Sequence, residues 1–141
     1  MDIKKAVEKL IQKHHTSDPF ALATILDVII IYSDMKNTLG FFNKYKRIKM
    51  IHLNNYIPED LKNFVCAHEL GHAIFHPNVN TPFLKRHTFY SANKIETEAN
   101  TFAVELLLPD DLLREFETCS LFSIASKRGI PKELINLKQK E

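Results

Sequence analysis

Apolar residues recur along this chain with two different periods, and the helical period dominates both ends. Residues 2–15 have apolar positions three or four apart, which predicts an amphipathic helix, and Asp18 followed by Pro19 is typical of the start of a second one. The same spacing returns in LKNFVCAHELGHAIFH, residues 61–76, and in SANKIETEANTFAVELLLP, residues 91–109. We therefore expect two long helices in the second half of the chain.

Strand-like runs fill the region between these helical segments. VIIIYS at 28–33 is typical of a buried strand, and two further runs follow at 39–45 and 47–54. Because the connections are short, we expect a small antiparallel three-stranded sheet, packed against the helix at 61–76. The basic run KYKRIK at 44–49 is expected to be the solvated end of a hairpin. This order of elements predicts an α+β fold.

Length and composition agree with one compact domain. The chain has 141 residues, 45% of them hydrophobic, which is enough for a core but leaves little room for a second module. A net charge of +2 is too small to indicate direct nucleic-acid binding. We expect a single domain, 1–141, with N-terminal helices at 1–26, a sheet at 27–54, active-site helices at 58–108 and C-terminal helices at 109–138.

The cellular compartment is predicted from features that the sequence lacks. The charged, helix-periodic N-terminus has no apolar core of a secretory signal, and no apolar run reaches the roughly 20 residues that cross a bilayer. Two cysteines are too few for a disulfide framework, and Cys66 is expected to lie in the core. We therefore expect a cytoplasmic protein without a membrane partner.

The helix at 61–76 carries the most informative motif. His68, Glu69 and His72 form HExxH, and because positions four apart lie on one face of a helix, both imidazoles can bind one zinc ion. Glu69 can then take a proton from a water whose pKa the zinc lowers to about 7. The alternative is an ordinary helix with two partly exposed histidines. Gly71 favours the metal site, since a glycine inside a helix indicates that something approaches the backbone closely.

A catalytic zinc site usually has three protein ligands and an open position for water, so the motif needs a partner. His76 continues the series, yet eight helical residues put it about 12 Å from His68 along the axis. We therefore expect His76 to end the helix before Pro77, where its ring can bond the last free carbonyls.

Glu96 in the segment at 91–109 is the better third ligand. Alanines beside it would let its helix lie close to the motif helix, and Asn100, one turn on, could hydrogen-bond a ligand histidine. The alternative for Glu96 is a capping box with Asn93. Glu98 points roughly the other way but remains the competing carboxylate.

The two helical segments together resemble one family. HELGHAIFHP and IETEANTFAVELLLP are similar to the ImmA/IrrE zinc metallopeptidases, whose pattern is HExxH followed some tens of residues later by E-x-x-A-N-x-F-A-x-x-L-L-x-P. The likeness covers residues from about 48 to 109 well and the N-terminal part only in general character. It implies a zincin-like, gluzincin-like domain with Glu69 as the catalytic base and zinc on His68, His72 and Glu96. Related peptidases often have an aspartate where this chain has Asn100, which keeps the hydrogen bond but supplies less electrostatic help.

Residues 77–92 contain two prolines and show no clear period, so we expect a loop that can wall the cleft. His87 and Tyr90 in this loop are candidates for stabilising a tetrahedral oxyanion. The alternative for each is an exposed or packed ring.

The resemblance also implies a substrate. Members of the family are commonly encoded by phages, integrative elements or stress-response systems, where they cleave and inactivate a helix-turn-helix repressor. We therefore expect an anti-repressor metalloendopeptidase with a helix-turn-helix repressor as its protein partner. The competing hypothesis is a non-catalytic, antitoxin-like module that sequesters a transcription factor. Glu69 favours the enzyme, since a pure binder has no chemical need for a base there.

Overall fold

The computed structural model describes residues 2–79, 83–84 and 93–139 and shows an α+β fold, as the sequence predicts. Two short 3-10 helices, Glu59–Leu61 and Lys132–Leu137, accompany the regular elements. The helices and strands are α1 (Ile3–His14), α2 (Pro19–Ile25), β1 (Val28–Ser33), β2 (Thr38–Tyr45), β3 (Ile48–Asn54), α3 (Lys62–Phe75), β4 (Phe83–Leu84), α4 (Lys94–Leu107), α5 (Asp110–Glu115) and α6 (Leu121–Lys127).

Side-chain caps fix where four of the helices begin, namely α1, α2, α4 and α6. Asp2 accepts a hydrogen bond from the Lys5 amide at the start of α1. At α2, Asp18 accepts from the Phe20 amide at 2.9 Å, and Pro19 occupies the first turn. Each cap satisfies an amide that has no partner inside the helix. The predicted start of α2 is confirmed.

A tight hairpin joins β2 to β3. The pairs run antiparallel from Gly40 opposite Leu53 to Tyr45 opposite Ile48, so only Lys46 and Arg47 form the turn. Both turn residues have positive φ, 48° and 73°, as a two-residue turn requires to match the right-handed twist of the strands. Their side chains are exposed, which confirms the predicted solvated hairpin.

The place of β1 corrects the predicted antiparallel arrangement. The strand order is β1-β3-β2-β4, and β1 pairs in parallel with β3, from Val28 opposite Lys49 to Ser33 opposite Asn54. A fourth strand, β4, forms within the segment predicted to be a loop and pairs with β2 at Thr38. The sheet is therefore mixed and four-stranded rather than a three-stranded meander.

Burial distinguishes a strand inside the sheet, β3, from the strand at one end of the strand order, β1. Ile51 and Leu53 of β3 are fully buried, whereas Ile29 and Tyr32 of β1 remain 48% and 44% exposed. β3 is therefore covered by its neighbours, whereas β1 stays partly open to solvent. The connection at 34–37 is long enough to carry the chain from β1 across β3 to β2. Four extended residues span about 13 Å, and two strand spacings are about 10 Å.

α3 lies between the sheet and α4 and is buried on nearly all sides. Ten consecutive residues, 64–73, are buried, as expected of a helix covered by neighbours on both faces. A Cβ added at Gly71 would lie 3.2 Å from Phe102 and 3.3 Å from Ala99 of α4. This close approach confirms the expectation for Gly71 and brings the polar faces of the two helices together.

The C-terminal segment packs back onto the rest of the fold through charges that are buried or partly buried. Lys138 Nζ lies 2.7 Å from Glu105 Oε1 and 2.8 Å from Asp110 Oδ1, and Lys4 Nζ lies 3.0 Å from Asp110 Oδ2. The Gln139 amide donates to the other Glu105 oxygen at 2.8 Å. We call Lys4, Glu105, Asp110 and Lys138 the ionic cluster. Among the helices in the described part of the chain, none is long and apolar enough to cross a membrane.

Candidate metal centre

The facing sides of α3 and α4 bring two imidazoles and a carboxylate to one point. His68 and His72 stand one turn apart on α3, and Glu96 lies in the first turn of α4; all three are at most 4% exposed. Nε2 of His72 is 2.6 Å from Glu96 Oε1, and Nε2 of His68 is 3.4 Å from Glu96 Oε2. One ligand atom from each residue lies within 4.8 Å of the others.

These atoms fit a shared cation better than they fit one another. Although His72 and Glu96 are close, neither His72 Nε2 nor the two buried Glu96 oxygens make a well-formed hydrogen bond. Leaving such groups unsatisfied in the interior is costly, whereas a cation at the point of convergence would satisfy them together. Two imidazole nitrogens and one carboxylate oxygen form a donor set that zinc uses in catalytic sites. The residues therefore fit a divalent metal.

The ionisation of these side chains suits a metal site. Burial raises the pKa of Glu96, but the neighbouring imidazoles of His68 and His72 outweigh it and bring this pKa down to about 2. Burial lowers the pKa of His68. At neutral pH this gives a carboxylate anion and a neutral His68, and both groups bind metals in those forms.

Glu69 lies beside this convergence, on the side of the sheet. It is completely buried, and its Oε2 is 4.0 Å from His68 Nε2. Burial, together with the charge of Glu96, raises the pKa of Glu69 well above its usual value, and an interaction with the backbone of Phe42 in β2 opposes the rise. The carboxyl group thus lies between the candidate ligands and β2.

Asn100 lies behind His68, one turn after Glu96 on α4. The Nδ1–H of His68 donates to Asn100 Oδ1 at 2.7 Å. With Nδ1 carrying the proton, Nε2 presents a lone pair toward Glu96 and His72. The arrangement matches the geometry that the sequence led us to expect for Asn100.

His76 ends α3, as expected, but its ring does not bond the helix carbonyls. Its Nδ1 lies 3.0 Å from His72 Nδ1, and its Nε2 lies 2.8 Å from Glu98 Oε1. Glu98, the competing carboxylate, therefore faces His76 and not the point where His68 and His72 converge. Sequence reasoning missed the contact between the His72 and His76 rings, although their spacing of four residues was the available signal.

Two other predicted residues cannot be compared with the geometry, because His87 and Tyr90 lie outside the described residues. Cys66 is buried in the core, as expected, and burial raises the pKa of its thiol. It takes no part in the convergence of His68, His72 and Glu96.

An HExxH helix crossed by a second helix that supplies a carboxylate is an arrangement of metallopeptidases. Residues 23–138 match Peptidase_M78, the IrrE N-terminal-like domain. The chain therefore belongs to the ImmA/IrrE family of metallopeptidases.

Two known proteins resemble this chain over most of its length. "Uncharacterized immunity region protein 2" of Bacillus phage phi105 is 45% identical over 139 residues, which are 96% of this chain and 88% of that protein. "Metallopeptidase ImmA" of Bacillus subtilis (strain 168) is 31% identical over 115 residues, which are 80% of this chain and 67% of that protein. Both similarities include the candidate metal centre, because they span so much of the chain.

Proposed function

We propose that this chain is a zinc-dependent metalloendopeptidase that cleaves one specific protein partner, a helix-turn-helix repressor of a mobile element or stress system. The observation that carries the proposal is the convergence of His68, His72 and Glu96 within 4.8 Å, beside the buried Glu69. A relative named as a metallopeptidase supports the activity. A relative named for a phage immunity region supports a repressor as the partner.

Zinc would be held by His68, His72 and Glu96, with Asn100 orienting His68. When bound, zinc supplies Lewis acidity that lowers the pKa of a coordinated water and polarises the scissile carbonyl. The protein's own contribution is to fix the ligand geometry and to exclude bulk water, because these residues are almost completely buried.

Glu69 serves as the proton carrier in the proposed reaction. Its carboxylate accepts a proton from the attacking water and delivers it to the amine of the departing peptide. Burial raises the pKa of Glu69, and a carboxylate with a higher pKa is a stronger proton acceptor. His87 and Tyr90 remain the predicted donors to the oxyanion.

The part of β2 beyond Gly40, which has no partner on its β4 side among the described residues, offers a place for the substrate backbone. β4 pairs with β2 at Thr38 and Gly40, and the next inward residue of β2, Phe42, has its backbone beside Glu69. A substrate segment that adds to this part of β2 as a strand would place its peptide bond next to the carboxylate. Such pairing uses backbone hydrogen bonds, so the choice of repressor would come from contacts with its side chains.

Replacing Glu69 with Gln tests the enzyme hypothesis. We expect Glu69→Gln to bind one zinc per chain, as the wild type does, but to lose about 1000-fold in cleavage rate, because the proton acceptor is gone. The assay incubates the zinc-loaded chain with purified helix-turn-helix repressors from the genome that encodes it and follows their intact masses. Glu59→Gln, at an exposed position before α3, is the matched control and should cleave normally.

Two results would contradict the proposal in different ways. If Glu69→Gln still inactivates the repressor without cutting it, the chain is a binding module. If the wild type retains no zinc after dialysis against a non-chelating buffer, the assignment of His68, His72 and Glu96 as zinc ligands is wrong.

A further inference from the structure

A chain of three side chains runs from the candidate metal centre to the edge of the α3–α4 interface. His72 Nδ1 meets His76 Nδ1 at 3.0 Å, and His76 Nε2 meets Glu98 Oε1 at 2.8 Å. The side chain of His76 is 8% exposed and that of Glu98 is 17% exposed. The interaction is therefore shielded from water for most of its length.

The carboxylate of Glu98, at the end of this series of side chains, determines which ring nitrogens of His76 and His72 carry protons. A carboxylate can only accept hydrogen bonds, so His76 must donate through Nε2–H to Glu98. A neutral His76 then has an unprotonated Nδ1, which accepts the Nδ1–H of His72. His72 is left with its Nε2 lone pair, and this atom is the one that faces Glu96 and His68.

We propose that His76 and Glu98 are positioning residues that fix the tautomer and the ring orientation of His72. The inference rests on the proposed zinc site, for which it names two further supporting residues. Neither His76 nor Glu98 belongs to the converging set of His68, His72 and Glu96.

The two imidazoles of the site are oriented by different means. His68 donates to the neutral amide oxygen of Asn100, whereas His72 is connected to a full negative charge on Glu98 through His76. A carboxylate behind a ligand histidine raises the basicity of that ligand and stabilises the bound metal. Asn100 carries no charge behind His68. Glu98 supplies a negative charge behind His72, and it does so through His76.

The backbone of the same region explains how His76 reaches this position. His76 caps α3 with φ −132° and ψ 53°, outside helical values, while its amide still donates to the His72 carbonyl at 2.7 Å. The helix therefore ends at the residue whose ring lies one turn beyond His72. Glu98 is two residues after Glu96 on α4, so one helix supplies both the candidate ligand and the remote carboxylate.

Zinc affinity and ring-proton exchange together test the proposal. Zinc dissociation constants are measured by competition with a chelating indicator for the wild type, Glu98→Gln, His76→Leu and the exposed control Lys94→Gln. We expect about tenfold weaker binding for Glu98→Gln and about 10–100-fold weaker binding for His76→Leu, with Lys94→Gln within about twofold of wild type. Glu98→Gln preserves size and an acceptor oxygen, so it remains informative if His76→Leu fails to fold.

The ring N–H signals of the zinc-loaded, ¹⁵N-labelled chain give the spectroscopic readout. In the wild type, the Nδ1–H protons of His68 and His72 should both exchange slowly with water. In His76→Leu the His72 proton should exchange rapidly and the His68 proton should stay protected by Asn100, which provides an internal reference; Glu98→Gln should speed the exchange of the His72 proton less.

The inference is overturned if both variants bind zinc within twofold of wild type and keep the His72 proton protected. A wild-type chain that binds no zinc would contradict the proposed function instead. Equal behaviour of all variants in a chain that does bind zinc would leave the proposed function intact and remove only the roles of His76 and Glu98.

Discussion

Two glutamates on α4 are almost completely buried, and their surroundings differ in the one respect that separates a structural carboxylate from a ligand. Glu105 accepts from the Lys138 ammonium at 2.7 Å and from the Gln139 amide at 2.8 Å, so both of its oxygens are satisfied. Glu96, nine residues earlier, points both oxygens toward two imidazoles without a well-formed hydrogen bond.

The comparison shows that burial of charge alone says little about function. In the ionic cluster the charges neutralise one another, and the cost of burying them is offset within the protein. At the metal centre the donors converge on a point and leave that cost unbalanced until a cation arrives. Substitution of Glu96 should therefore change metal binding, whereas substitutions in the ionic cluster should change the stability of the fold.

The largest expected effect is at Glu96. Glu96→Gln should weaken zinc binding on the order of 1000-fold, about 4 kcal/mol, because one of three ligands is lost. The rise in thermal midpoint that zinc gives the wild type should then largely disappear. Differential scanning fluorimetry with and without zinc measures this difference.

Glu105→Gln is the matched variant for that experiment. It should lower the thermal midpoint equally with and without zinc and keep the zinc-dependent rise, since Glu105 is remote from the ligands. If the two variants lose the zinc-dependent rise to the same extent, the distinction between the two carboxylates is wrong.

A smaller effect, on folding alone, is expected at Lys138. Lys138→Met should reduce the free energy of unfolding by about 3 kcal/mol, because Glu105 stays buried without its ammonium partner. Urea denaturation of the zinc-free chain measures the change, and the exposed Lys127→Met serves as the control. Replacing both partners, as Glu105→Leu with Lys138→Met, should restore much of the stability. A loss below 1 kcal/mol in Lys138→Met would show that the cluster is solvated.

The smallest effect concerns the pH dependence of the ionic cluster. Burial raises the pKa of Asp110, but Lys138 and Lys4 outweigh it and hold this pKa below its ordinary value of 3.8. The stabilisation from Asp110 is therefore complete above about pH 4 and is lost as the pH falls through the lowered pKa.

Lys4 shows the opposite dependence. Burial lowers its pKa, but Asp110 outweighs it and raises the pKa above 10.5, so its contribution is complete below that value and is lost at higher pH. Asp110→Asn should flatten both limbs of the stability profile by about 1 kcal/mol, since the cluster is partly exposed. Thermal melts from pH 3 to pH 11 measure the profile, and unchanged limbs in the variant would contradict this assignment.

The sequence made the elements and the motif visible because both depend on local spacing. Apolar periodicity located the strands and long helices, and the HExxH spacing marked His68 and His72 as neighbours on one face. The small residues Gly71 and Ala99 indicated a close helix crossing, which the structure shows as a 3.3 Å approach.

Local sequence patterns could not predict which distant segments pair with one another. The apolar run of β1 does not say which strand lies beside it, so the parallel pairing with β3 was missed. Lys138 and Glu105 are 33 residues apart, and nothing in the spacing of either segment indicates their contact. The partnership of His76 with Glu98 requires two helices to be placed side by side first.

The location of Lys138 has a consequence for the protein during its synthesis. α4 carries Glu96 at one end and Glu105 at the other, and Glu105 gains its countercharge only when the segment containing Lys138 has left the ribosome. A nascent chain that ends before this lysine would bury a lone negative charge, so the C-terminal half of α4 should stay loosely attached until then. We expect newly made chains to reach their full stability only after this lysine has left the ribosome.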